Sequence, residues 1–283
     1  MKIGLLTPFT GKNANPAEFA RVAESLGFES IWVPEHPALP ANPKTEFPGG
    51  GPIPPVYHQM ADQVVALSMA AAVTKTLKLA TGICLVPEHE PIALANQLAT
   101  LDAYSGGRLI FGIGAGWLRE ESELFGVDFP RRWTQTAELI AAMRALWRED
   151  QPSFEGKYVK FPPVRCYPKP AQKMGPPVHI GSLDKNALKR VAKWADGWCP
   201  IRLSAPAFKE KVDELRRECA AVGRDFSQLD ITIMGAIQGD RAKVQDGLKE
   251  FAAAGAHRFV AGLGDFTPET YENMLKKIGG LYV

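Results

Sequence analysis

Residues 77–117 read LKLATGICLVPEHEPIALANQLATLDAYSGGRLIFGIGAGW, and this stretch decides the fold. Residues 77–86 are a near-continuous apolar run closed by Pro87, the pattern of a parallel strand covered on both faces. Pro91 suits the first turn of a helix, and Gly106-Gly107 end it. A second buried strand follows, carrying Gly112, Gly114 and Gly116 in alternation, which places all three on one face. A strand bare on one face either packs tightly within a barrel or leaves room for something flat. The spacing is not the G-x-G-x-x-G of a dinucleotide turn, because Trp117 stands where the third glycine belongs, and it is not a phosphate-cradling loop.

Outward from this unit, strand and helix signals alternate along the whole chain. Strands are expected at 3–9, 30–34, 178–181, 198–201, 231–237 and 259–263. Helices are expected at 16–26, 60–74, 134–148, 184–195, 206–222, 241–254 and 268–278. Eight strand–helix units predict one α/β domain over residues 1–283, a (β/α)8 TIM barrel, in preference to an open doubly wound sheet. The insertions 37–59 and 118–133 follow strands and so belong to the C-terminal mouth, where barrel active sites form. Residues 150–177 form an excursion with a short hairpin in FEGKYVKF.

The composition is that of an ordinary globular protein, with 46% hydrophobic and 23% charged residues. A net charge of +2 gives no footprint for nucleic acid or an acidic membrane. The four cysteines show no metal-ligand spacing, and no apolar run reaches membrane-spanning length. Reduced thiols, and a strand that follows Met1-Lys2 directly, make the cytoplasm the expected location.

Candidate chemistry gathers at strand ends. Glu35 and His36 close the second strand, with His36 read as a proton donor or acceptor near neutral pH, oriented by a neighbouring carboxylate. The same letters, VPEH, recur at 86–89, where His89 reads as a satisfied rim histidine. A metal held by Glu35, His36, Glu88 and His89 has suitable ligand types but no further ligands at other strand ends, so no metal is expected. Gly181-Ser182, just before a helix, suits an anion or a plain N-cap. Arg202 is the clearest strand-end cation, placed to meet an anionic cofactor tail or to snorkel at the rim.

Several words of this sequence together resemble the bacterial luciferase-like superfamily, and within it the oxidoreductases that use coenzyme F420. They are GFESIWVPEH at 27–36, LATGICLVP at 79–87, ALANQLATLDAYSGGRLIFGIGAGWLREE at 93–121, VHIGS at 178–182 and ADGW at 195–198. The resemblance implies a ring system held at the barrel mouth against the third and fourth strands. It implies a non-prolyl cis bond at Gly82-Ile83 backing the ring, and cofactor contacts from Thr81, Gly82, Ile83, Gly114, Gly116, Trp117, Gly181, Ser182 and Arg202. Glu35 and His36 would line the ring edge. Trp117 stands where F420-dependent sugar-phosphate dehydrogenases carry an acidic residue, which favours an apolar or aromatic substrate, with Glu120 as a substitute carboxylate. The expected activity is hydride transfer between F420 and a small organic molecule, by a homodimer paired through residues 60–74 and 91–104. The alternatives are an FMN-dependent monooxygenase and a non-catalytic flavin-binding barrel.

Overall fold

The computed structural model describes all residues 1–283. The strands are β1 (Lys2–Leu6), β2 (Ser30–Val33), β3 (Lys78–Thr81), β4 (Cys84–Leu85), β5 (Leu109–Gly114), β6 (Phe154–Glu155), β7 (Lys160–Phe161), β8 (Val178–Ile180), β9 (Gly197–Trp198), β10 (Asp230–Gly235) and β11 (Arg258–Gly262). The α-helices are α1 (Pro16–Ser25), α2 (Gln63–Val73), α3 (Pro91–Ser105), α4 (Arg119–Leu124), α5 (Arg132–Arg148), α6 (Ala187–Trp194), α7 (Ala205–Ala221), α8 (Arg241–Ala253) and α9 (Tyr271–Tyr282). The parallel order β3-β2-β1-β11-β10-β9-β8-β5 closes on itself through a β3–β5 pairing, giving the expected (β/α)8 barrel. The β6–β7 hairpin stands apart, within the excursion.

The helices start where the local chemistry dictates. Asn15, Asp62, Glu90, Ser204 and Asp240 accept hydrogen bonds from the first turns of α1, α2, α3, α7 and α8. Gly106 caps α3 in the left-handed region at φ 71°, where a side chain is costly. The 184–195 helix begins later than expected, at Ala187, because Asp184 accepts the Asn186 N–H and turns the chain there.

One strand departs from the uniform run expected at 77–86. β3 and β4 both pair with β5, but Ala80 to Cys84 is four residues while the partners Ile110 to Ile113 span three. One extra residue makes a bulge at Gly82-Ile83, and the Gly82-Ile83 peptide is cis, as the resemblance implied. The bulge is braced from three sides. Gly82 N–H donates to the Val33 carbonyl at 2.7 Å, Thr81 Oγ1 donates to the Gly112 carbonyl at 2.7 Å, and Leu85 N–H donates to Glu35 Oε2 at 2.7 Å.

Inside the barrel, Trp32, Ala80, Ile110, Cys199, Met234 and Val260 form a small apolar layer. Below it lies Arg258, 2% exposed, giving two 2.8 Å hydrogen bonds to Glu29 and one of 2.8 Å to Asp230. The larger core of 58 buried residues fills the space between strands and helices.

Candidate active site

The mouth holds a cavity of ≈ 1040 Å³. Its walls are mostly apolar: Leu6 and Pro34 at the ends of β1 and β2, Val56 from the 37–59 loop and Met60 just after it, and Leu263 and Phe266 after β11. Gly82 and Arg202 line it. The volume lies at the upper end of the ~300–1,000 Å³ of single-ligand sites, room for a planar cofactor and a second small molecule together.

The other expected residues are placed differently, and for physical reasons. The glycine row does not form an open slot. A Cβ on Gly112 would strike the Thr81 carbonyl oxygen at 2.2 Å, and one on Gly114 would strike Ile83 Cδ1 at 2.3 Å. One on Gly181 would strike Ile83 Cγ2 at 2.7 Å. The missing side chains therefore make room for the bulge itself, which Ile83 fills. Gly116 lies beyond β5 at φ +83°, and a Cβ there would meet Ser122 Oγ and Glu88 Oε1. Thr81 is fully buried, with its hydroxyl spent on the Gly112 carbonyl. Ser182 donates to Asp184 Oδ2 at 2.8 Å, and that carboxylate, paired with Arg190, faces any anion at this turn. Thr81, Gly114, Gly116, Gly181 and Ser182 thus shape and support the mouth without lining its cavity.

Glu35 is committed to structure. Besides the Leu85 N–H, its carboxylate meets His89 Nε2 at 3.0 Å. Burial works against both charges, but their hydrogen bond and attraction hold Glu35 below the ordinary carboxylate value and His89 above that of a free imidazole. Cys84 joins them, its thiol within 4.8 Å of the other two donor atoms. Burial, reinforced by Glu35, keeps that thiol protonated, so the group is satisfied as an ion pair beside a neutral thiol.

The carboxylate that orients His36 is Glu121. Its Oε2 lies 2.6 Å from His36 Nδ1, and both side chains are buried. Trp117 Nε1–H donates to His36 Nε2 at 3.3 Å. An indole only donates, so this partner assigns the neutral imidazole with its proton on Nδ1 and a lone pair on Nε2. His36, Tyr57, Phe47 and Trp117 form a closed ring of contacts with centroids 5.0–5.7 Å apart. Tyr57 belongs to the cavity wall, so His36 stands one aromatic ring behind it. Arg202, at φ 60° and exposed, places its guanidinium 5.9 Å from the Phe47 ring and has no carboxylate partner. Glu120, the expected substitute carboxylate, instead accepts the Lys44 and Thr45 N–H groups at 2.7 and 3.0 Å, tying the 37–59 loop to α4.

Glu88 sits behind this group. Its Oε1 accepts from Ser122 Oγ at 2.9 Å, while its Oε2 and Glu121 Oε1 are buried without partners. Burial, then the charge of Glu121, push Glu88 up to about 8, so it is protonated at neutral pH. A carboxyl raised in the fold binds its proton more tightly than in the unfolded chain, so stability falls as pH rises from the usual 4.5 toward about 8. Glu88→Gln keeps the acceptor for Ser122 and removes the titration. Thermal midpoints of wild type and variant are expected to coincide near pH 4 and to separate by pH 9, with the wild type lower. Parallel curves over that range would assign the titration elsewhere.

Glu121, Tyr57 and Phe47 carry no signal in the sequence that separates them from neighbouring polar or loop residues, whereas Glu88 stands out in the repeated VPEH word, as a candidate metal ligand and not as a protonated carboxyl. Glu121 follows an identical residue, and only the phase of a six-residue helix decides which of the two turns inward.

A parallel eight-stranded barrel with an apolar, ligand-sized cavity at its C-terminal mouth, and an imidazole–carboxylate pair beside it, defines a small-molecule site on a TIM barrel. The model of the luciferase-like monooxygenase family matches residues 1–274, and the chain belongs to that family. It is 36% identical over 270 residues to an uncharacterised protein of Mycobacterium tuberculosis, covering 94% of this chain and 93% of that one. It is 29% identical over 224 residues to the F420-dependent glucose-6-phosphate dehydrogenase of Kineococcus radiotolerans, covering 77% of this chain and 61% of that one. The crystal structure of the monooxygenase RslO1 from Streptomyces bottropensis superposes with a TM-score of 0.81 at 19% identity, covering 99% and 98% of the two chains. No helix is long and apolar enough to cross a membrane.

Proposed function

We propose that this protein is an oxidoreductase that moves a hydride between coenzyme F420 and a small apolar or aromatic molecule. The observation that carries the reading is the ≈ 1040 Å³ apolar cavity reached by the bulged strand at Gly82, one ring away from the His36–Glu121 pair. The F420-dependent relative supports the choice of deazaflavin. A planar group fits the site on three counts: the volume, the Gly82 backbone in the wall, and an unpaired Arg202 at the rim for an anionic tail. The chemistry supplied by a bound deazaflavin is two-electron hydride transfer.

The chain's own residues do the rest. Apolar walls exclude water from the reacting centre. Glu121 holds the Nδ1 proton of His36 and fixes the ring, which leaves Nε2 to exchange a proton with the cavity once its 3.3 Å contact with Trp117 gives way and Tyr57, which stands between, swings aside. Pairing of two copies through α2 and α3, where Val65 and Tyr104 are exposed, belongs to the same proposal. The family's description as monooxygenases favours a second reading, with FMN and oxygen in place of F420. Titration of the purified protein with F420 and with FMN, followed by fluorescence, separates the two. Tighter binding of F420 is expected, and tight FMN binding with negligible F420 binding would reverse the assignment.

A further inference from the structure

The cavity does not end at the barrel axis. Along β10 and β11, Met234 and Val260 point inward to the layer around Trp32, while Ile233 and Phe259 point outward to the helix-side core with Phe251 of α8. Ile233, Phe251 and Phe259 nevertheless line the same cavity as Leu6, Pro34 and Gly82. The inner and outer parts join over Gly235 and Gly262, which also line it. A Cβ on Gly235 would have Phe259 Cζ, at 4.0 Å, as its sole neighbour, and one on Gly262 would have only the Gly235 carbonyl oxygen, at 3.8 Å. Neither glycine has the positive φ that would require glycine. In contrast to Gly112, Gly114 and Gly181, no other part of the chain occupies the space these two leave.

We infer that this opening is an apolar annex that takes the hydrocarbon part of the substrate, and that Gly235 and Gly262 set the length of chain admitted. The inference rests on reading the mouth cavity as the substrate site. Many barrels hold a phosphate after the seventh and eighth strands. Here the annex walls are aliphatic and aromatic, and the charged residue that the loop after β11 adds to the lining is the anion Asp265. The cations of the cavity, Lys12 and Arg202, come from the loops after β1 and β9, and a run of methylenes fits between the apolar walls of the annex.

The probes are the straight-chain alcohols from 1-butanol to 1-decanol, with affinity measured by calorimetry on wild type, Gly235→Val and Gly262→Val. Wild-type affinity is expected to rise about fourfold for each added methylene, the value of burying one CH₂. Both variants should match wild type for butanol and bind decanol at least tenfold more weakly. Should either valine variant fail to fold, Gly235→Ala introduces no contact below 4.0 Å and is expected to weaken decanol binding about fourfold. Equal chain-length dependence in wild type and variants, or none in wild type, would overturn the annex. F420 titration of the same proteins keeps the two readings apart. Loss of F420 binding with the alcohol series intact removes the hydride-transfer reading and leaves the annex standing.

Discussion

Replacing His36 with alanine is expected to lower turnover by about 10²-fold or more, the low end of what a positioned general acid or base contributes. The expectation follows from the 2.6 Å contact to Glu121, which fixes the ring and places the Nδ1 proton, leaving Nε2 as the exchanging atom. Glu121→Gln keeps the shape and removes the charge that orients the imidazole, so it should also slow turnover, while F420 affinity stays near wild type in both variants. The assay follows deazaflavin absorbance with the fastest substrate from a panel of small carbonyl compounds and alcohols. Reduced kcat with little change in cofactor affinity supports a proton role. Unchanged kcat in His36→Ala removes His36 from the mechanism, and lost F420 affinity would make it a binding residue.

The largest effect on stability is expected at Arg258. The guanidinium is 2% exposed and holds Glu29 through two hydrogen bonds of 2.8 Å, with Asp230 and Thr232 on the other side at 2.8 and 2.9 Å. Glu29 and Asp230 keep 22% and 31% exposure, so removing the buried guanidinium strands two partly solvated carboxylates at a cost of ~3 kcal/mol, the low end for a buried pair. Arg258→Ala should therefore lower the midpoint of thermal unfolding by about 10 °C in a chain of this size. Burial works to raise both carboxyls, but the bonds and attraction of Arg258 hold Glu29 and Asp230 below the ordinary carboxylate range. Their contribution is therefore present above the usual values and is lost as pH falls through the lowered ones. The gap between wild type and Arg258→Ala, measured by urea unfolding, should be largest near pH 7 and shrink below about pH 4. A loss under about 1 kcal/mol at pH 7, the level of an exposed pair, would show that the network is not what closes the barrel floor.

Much of the barrel can be read from the sequence because parallel strands buried on both sides leave long apolar runs, and the Pro, Gly and Asp residues at helix ends mark where each run turns. The bulge is not written in that way. An apolar run looks the same with or without one extra residue, and only the resemblance pointed to Gly82-Ile83. The glycines at 112 and 114 reveal that something comes close but not what it is, and the neighbours are the Thr81 carbonyl and the Ile83 side chain, at the bulge after β3, not a ligand. Gly235 and Gly262, which do face open space, sit singly at strand ends where a glycine reads as an ordinary turn residue. His36 was legible from its place after a strand. Its partner Glu121 was not, because the pairing joins residues 85 positions apart.

The most direct test of the account is a crystal of the protein soaked with F420. The deazaflavin ring is expected to lie against Gly82 within the mouth cavity, with its anionic tail toward Arg202. Density for the ring elsewhere on the protein, or a mouth that stays free of it at saturating F420, would contradict the account.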